Sequence, residues 1–398
     1  MSDYDYINLM GNGSNNTYED SFNRNFNWNE LLPTLIVYSV TFILGLTGNI
    51  LIIFTTFKYR RMKSVTNVFL SSLACSDLIL IIVCIPVKVA KLFSYTWEMG
   101  ELICKTIHYM QYVSAICSVL TLTAISIERY YAIVHPMKAK YICTISQAKR
   151  IILVIWILAV ILGAPTIKAQ LHLPVGRKNE SNYCVRAGWD VNYLSIHKFH
   201  ELYMFILIFA LPFCIMALSY GLICWEIWKV MERRSAMTSE QALSRNPSKY
   251  LPQNQKLIRT FSPNDSQKCK SRNGYRDDTN MVKQVICMLV TVVVLFAVCW
   301  TPMLVDNVLT AYGILPFQKF GTLKYMSSAF SLMAYFNSCI NPIIYGFMSK
   351  TFRESFIQAI CLKSDGRAPD RTSSYSLRYV STRGSSVRST VARSTSIK

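Results

Sequence analysis

This chain is poor in the groups that catalysis requires. No HExxH, GxSxG or phosphate-loop pattern occurs in its 398 residues, and its five histidines (His108, His135, His172, His197 and His200) lie at the edges of long apolar runs. An intramembrane enzyme would need paired acids or metal-spaced histidines within those runs, and neither is there. Acids are scarce: 22 Asp and Glu stand against 42 Lys and Arg, and only Asp77 falls at the middle depth of an apolar run. A transporter or channel, the alternative reading, would favour internal repeats, broken helices and several such ionisable groups. The last run has Lys324 near its start and Lys350 beyond its end with no lysine between, which excludes a retinal Schiff base.

What is abundant is apolar side chain, 52% of the residues. It gathers into seven stretches of ~20 or more largely uncharged residues, at about 33–57, 67–92, 104–134, 150–171, 202–227, 284–312 and 322–348. These predict an all-α membrane protein, a seven-helix transmembrane bundle over 33–348. The net charge of +20 would suit nucleic acid, but its distribution points to a membrane instead. Lys58, Arg60, Arg61, Lys63, Lys138, Lys140, Lys149, Arg150 and a basic cluster from Arg233 to Lys283 fall in alternate connections, whereas residues 1–32 hold five acids and only Arg24. That bias places the N-terminus outside and predicts a multi-pass plasma-membrane protein with no nucleic-acid partner. Residues 1–30 lack a basic segment followed by an apolar one, so the first span is expected to act as an uncleaved signal.

Under this topology eight of the 13 cysteines fall inside spans, and Cys143, Cys269 and Cys361 on the reducing side. Cys104 and Cys184 alone lie outside, a disulfide candidate. Residues 1–32 read as a disordered extracellular segment, glycosylated at Asn12 and Asn15, with a third acceptor at Asn179. The connection 228–280 is long, polar and basic, a loop flanked by helical extensions of spans five and six. Residues 349–362 suit a short amphipathic eighth helix on membrane lipid, with Cys361 a palmitoylation site. Residues 363–398 form a disordered tail of Ser, Thr and Arg, rich in phosphorylation candidates such as Ser373, Ser385 and Thr390.

The polar residues inside the spans carry the argument further. Between Met110 and Ile127 no side chain is charged, yet Glu128-Arg129-Tyr130 follows at once. Such a triplet is costly at a membrane edge unless a polar group receives it; a snorkelling arginine is the simpler account. Asp77 calls for partners, and Asn49, Ser338 and Asn341 can share its depth, forming a hydrated network able to hold a monovalent cation. A purely structural hydrogen-bond cluster fits equally. No organic cofactor is expected. Pro86, Pro165, Pro212, Pro302 and Pro342 punctuate spans, and Trp300 stands one turn from the Pro302 kink, as a coupling element or as packing.

Together these residues resemble the rhodopsin-like (class A) G-protein-coupled receptors over residues 33–362. The resemblance is carried by Gly48-Asn49, Leu73-Ala74-Cys75-Ser76-Asp77, Cys104 with Cys184, Glu128-Arg129-Tyr130, Trp156, Pro212 with Tyr220, Cys299-Trp300-Thr301-Pro302 and Asn341-Pro342-Ile343-Ile344-Tyr345. Trp97, Tyr109 to Tyr112 and His135-Pro136 narrow it to neuropeptide receptors of the orexin, allatotropin, thyrotropin-releasing-hormone and RFamide types. It implies that an extracellular peptide opens span six to a heterotrimeric G protein, with Arg129 released from Glu128 toward Tyr220 and Tyr345. It also implies arrestin and receptor kinases as partners of the tail. Many members have an acid at the inner end of span six that clamps the arginine; Met281-Val282-Lys283-Gln284 has none, and Asp277 and Asp278 lie a turn earlier. A weaker resting lock and measurable basal signalling are therefore expected.

For the ligand, His108, Gln111 and Tyr112 face the outer half of span three. Gln111 stands where amine receptors have an aspartate; its amide suits a peptide carbonyl or C-terminal amide, and disfavours a small amine. Lys88, Glu201, Met204, Met303, Asp306, Asn307, Ser331 and Tyr335 are further candidates. Glu201 or Asp306 would receive a ligand arginine and Lys88 a ligand carboxylate, unless Lys88 pairs with an internal acid.

Overall fold

The computed structural model describes residues 28–94, 97–175, 181–186, 193–244, 264–317 and 319–360. Seven long helices form one bundle. They are α1 (Trp28–Lys58), α2 (Val65–Leu92), α3 (Gly100–Val134), α4 (Ile145–Ala169), α5 (Leu194–Arg233, its helical bonding running on to Ser244), α6 (Asn264–Ala311) and α7 (Gly321–Met348). A short α8 (Lys350–Ile360) follows, and Pro136–Ile142 makes a one-and-a-half-turn helix between α3 and α4. α1 to α6 are long and apolar enough to span a bilayer by length and composition. α7 is more polar because Ser327, Ser331, Asn337, Ser338 and Asn341 interrupt it.

Local chemistry sets the ends and bends. Ser64 and Thr144 cap α2 and α4, their hydroxyls accepting the backbone N–H of Asn67 and Gln147 at 3.2 and 3.3 Å. Just before Pro86 and Pro212 the helices widen into single π turns, Leu80–Cys84 and Ile206–Ala210. A proline lacks the N–H for the turn below and crowds its carbonyl, and the extra residue absorbs both faults. α6 and α7 pass through Pro302 and Pro342 without such a turn.

Burial separates the helices. In α3, 78% of the most apolar window is buried inside the protein; in α4 the figure is 22%. α3 therefore runs through the centre, touching α2, α4 and α5, while α4 turns Leu153, Ile157 and Ile161 outward as a lipid-facing stripe. α1 closes against α2 and α7, and at that seam Gly48 is required by space. A Cβ there would lie 2.6 Å from the Pro342 side chain.

One difference from the sequence reading stands out. The fourth span is not helical to 171: the helix ends at Ala169 after a break at Pro165, and the chain enters an antiparallel hairpin, β1 (Gln170–Val175) with β2 (Ser181–Arg186). The fold is thus helical with one small sheet. Helical extensions of α5 and α6 reach Ser244 and back to Asn264, longer than the apolar runs alone. Asn12, Asn15, Asn179, Cys361 and the tail phosphorylation candidates lie outside the described residues, as do the side chains of Asp277 and Asp278.

Candidate functional site

At the hairpin end of the bundle a cavity of about 60 Å³ is lined by Tyr38, Lys88, His108, Gln111, Tyr112, Gln170, Arg186, Met303, Ser331 and Tyr335. The Cys104–Cys184 disulfide roofs it, joining α3 to β2 with the two Cα atoms 5.6 Å apart. His172 pairs with Cys184 and Gln170 with Arg186 in the hairpin register. Side chains alternate along a strand, so the bridge that turns Cys184 toward α3 also turns Arg186 into the bundle.

Each polar group in this end has a definable role. Tyr335 donates its hydroxyl to Gln111 Oε1 at 2.9 Å, and Gln111 Nε2 has only the Met303 sulfur at 3.8 Å, a weak acceptor. Arg186 Nη1 donates to Asn307 Oδ1 at 2.5 Å, and Asn307 Nδ2 donates to the Tyr112 hydroxyl at 3.4 Å. Burial by itself lowers the Arg186 pKa, but Glu201, Tyr112 and Asp306 outweigh it and hold the guanidinium above its ordinary value. Glu201 Oε1 accepts from His200 Nδ1 at 3.2 Å and lies 3.8 Å from His197 Nδ1, while His200 Nε2 meets the Thr166 hydroxyl at 3.1 Å. Lys88 Nζ lies 3.4 Å from His108 Nε2, and His108 Nδ1 donates to the Cys104 carbonyl at 2.9 Å.

Seven of the residues singled out in the sequence thus share this cavity: Lys88, His108, Gln111, Tyr112, Met303, Ser331 and Tyr335. Glu201 and Asn307 stand behind it and hold Arg186. Met204 is fully buried in the main apolar core and does not line the cavity. Asp306 does not line the cavity: Lys319 Nζ and the Ser327 hydroxyl bind its Oδ2 at 2.5 and 2.9 Å. Of the two partners open to Lys88 in the sequence, no internal acid reaches it among the described residues, and its neighbour is His108. Arg186, Tyr38 and Gln170 were missed. For Arg186 a signal existed, two residues beyond a cysteine in an extended segment; Tyr38 carries none, because α1 is apolar on every face.

Midway down the bundle Asp77 is buried with Asn341 Nδ2 donating to its Oδ2 at 2.8 Å and the Ser338 hydroxyl also bonded to it. Asn49 Nδ2 donates to the Gly45 and Ser338 carbonyls, both at 2.8 Å. The Ser76 and Ser118 hydroxyls meet at 2.9 Å, and Trp156 Nε1 donates to Ser72 at 3.1 Å. The Asn341 amide occupies one oxygen of the Asp77 carboxylate, and among the described residues no group of three or more acids, histidines or cysteines gathers to hold a metal ion. Trp300, two residues before Pro302, stacks on Phe296 at 5.9 Å, and its indole N–H has no partner among the described residues.

At the α8 end Glu128 holds Arg129, with Nε to Oε2 at 2.6 Å and Nη2 to Oε1 at 2.5 Å, and Thr66 donates to Oε2 at 3.2 Å. Tyr130 turns away to His135 Nε2 at 3.3 Å. The buried hydroxyls of Tyr220 and Tyr345 are unpartnered, so neither has taken up the arginine. Where an acid on α6 was missing from the sequence, Gln284 Nε2 donates to the Met348 carbonyl at 2.7 Å, tying α6 to the end of α7.

Residues 48–345 match the family model described as "7 transmembrane receptor (rhodopsin family)". A cholecystokinin receptor type A of Homo sapiens is 32% identical, over 81% of this chain and 79% of its own. A pyroglutamylated RF-amide peptide receptor of Rattus norvegicus is 30% identical over 81% and 68%. A QRFP-like peptide receptor of Branchiostoma floridae is 27% identical over 87% and 82%.

Proposed function

Because this chain belongs to the rhodopsin family of seven-transmembrane receptors, a receptor and not an enzyme, we propose that it binds an extracellular neuropeptide amidated at its C-terminus and activates a heterotrimeric G protein. The peptide reading is drawn from the relatives, which are receptors for RF-amide and cholecystokinin peptides by name. The observation that carries it to this chain is the cavity beneath the disulfide. Gln111 is placed there with a donor spent only on a sulfur, so the polar contact α3 offers is an amide rather than a carboxylate. An amide recognises a backbone carbonyl or carboxamide and cannot form an ion pair with an ammonium.

In this reading the chain is a multi-pass protein of the plasma membrane with its hairpin and N-terminus outside. Ligand entry shifts Trp300 and swings α6 about Pro302. Gln284 then leaves Met348, Arg129 leaves Glu128 for Tyr220 and Tyr345, and the G protein enters the opened end. A sodium ion on Asp77 would stabilise the closed arrangement. Glycans at Asn12, Asn15 and Asn179, a palmitate on Cys361, α8 on the lipid surface, and kinases and arrestin on the tail complete the proposal. A neuropeptide library applied to cells expressing the chain, read by calcium and cyclic AMP, tests it. A response that Cys184→Ser and Trp300→Ala abolish is expected; silence to every peptide from a receptor at the cell surface overturns it.

A further inference from the structure

The cavity is cationic in a way the rest of the bundle is not. Among the described residues the acids nearest this cavity have other partners: Asp306 binds Lys319 and Ser327, and Glu201 Oε1 accepts from His200 and adds its field to Arg186. Lys88 is different. Among the described residues no carboxylate comes within 4.0 Å of its Nζ, and the group beside it, His108, is held as a neutral acceptor. The Cys104 carbonyl can only accept, so His108 Nδ1 carries the ring proton and Nε2 is left to face the ammonium. Lys91 and Arg186, both of its own sign, add to the field at Lys88.

A half-buried cation among cations and neutral groups is normally compensated, because partial removal from water is costly and like charges add to the cost. Among the described residues no group of the chain compensates Lys88. The position for one is open, since Lys88, His108 and Arg186 all line the same small cavity as Gln111. We propose that Lys88 receives an anionic group of the ligand, so that this receptor selects peptides carrying a carboxylate near the end that enters the bundle. Arg186 frames the same position from β2 and adds long-range attraction while remaining tied to Asn307. The inference rests on the peptide reading above and specifies the ligand chemistry. In the amidated peptide proposed above the carboxylate is an Asp or Glu side chain, and the test separates this from a free C-terminus.

The test uses the full-length receptor and a defined panel of synthetic peptides. Each is made as C-terminal amide and as free acid, and each with an Asp or Glu is also made with Asn or Gln there. Active peptides are expected to lose tenfold or more in potency when the acid is neutralised, and the matched loss identifies which source is used. Lys88→Gln should reproduce that loss for the acidic peptide and leave its neutral version unchanged. Lys88→Arg should keep the acid preference, and Lys88→Glu should reverse it in favour of an analogue with lysine at the acidic position. Surface labelling confirms that each variant is folded and delivered. Activation by peptides whose potency ignores both the acid and Lys88 overturns this inference and leaves the peptide reading standing. A panel with no active member overturns both.

Discussion

Lys88 and Arg129 sit near opposite ends of the bundle and are treated in opposite ways. Arg129 is clasped by its sequence neighbour Glu128 in two charge-assisted bonds, and Thr66 steadies the carboxylate. Lys88 faces a neutral imidazole and a cavity. One end of the molecule is closed on itself and the other is left incomplete. Under the proposed function the contrast shows where work would enter and leave: a ligand would complete the open end, and the closed end has a bond to give up.

The sharpest way to break this comparison is at the closed end. Arg129→Ala should abolish agonist-driven G-protein activation while agonist binding persists, and a full response in a nucleotide-exchange assay would sink the proposed role. Glu128→Gln removes the clasp and should raise ligand-free signalling several-fold. Because Gln284 supplies a neutral α6–α7 tie where no acid is available, Gln284→Ala should raise it further than wild type but less than Glu128→Gln. Ligand-free signal no higher than that of the Arg129→Ala receptor would count against a weak resting lock.

At the open end, Cys184→Ser frees the hairpin from α3 and should destabilise the folded receptor by about 2–5 kcal/mol, read as a fall in thermal stability. Gln111→Ala should weaken the cognate peptide by about 1–3 kcal/mol if a buried hydrogen bond to it is lost. Between the ends, Gly48→Ala forces a methyl group against Pro342 and should cost about 1–3 kcal/mol. The smallest effect is expected from Trp156→Phe, which removes one hydrogen bond to Ser72, worth about 1 kcal/mol in thermal stability with signalling retained.

Much of the fold was legible in the chain because a bilayer imposes a simple rule. Backbone groups in hydrocarbon must be satisfied within the segment, so each long apolar run becomes a helix. The hairpin was not legible in the same way, because Gln170–Val175 and Ser181–Arg186 lie in water and depend on the bridge to α3 for their placement. For the site, residue identity marked Lys88, Gln111 and Asp77 as out of place in apolar surroundings. Identity could not say who satisfies whom. Asp306 and Lys88 read as equivalent unpaired charges, and only the fold brings Lys319 to one and a histidine to the other.

The sequence by itself determined the number of membrane spans and the polar residues placed within them, since burial in hydrocarbon is recorded in hydropathy. Only the tertiary structure decided that Arg186 enters the cavity, that Gln284 bonds Met348 and that Lys88 meets His108 and, among the described residues, no carboxylate. Those outcomes depend on distances between segments tens to hundreds of residues apart, which packing fixes and hydropathy does not record.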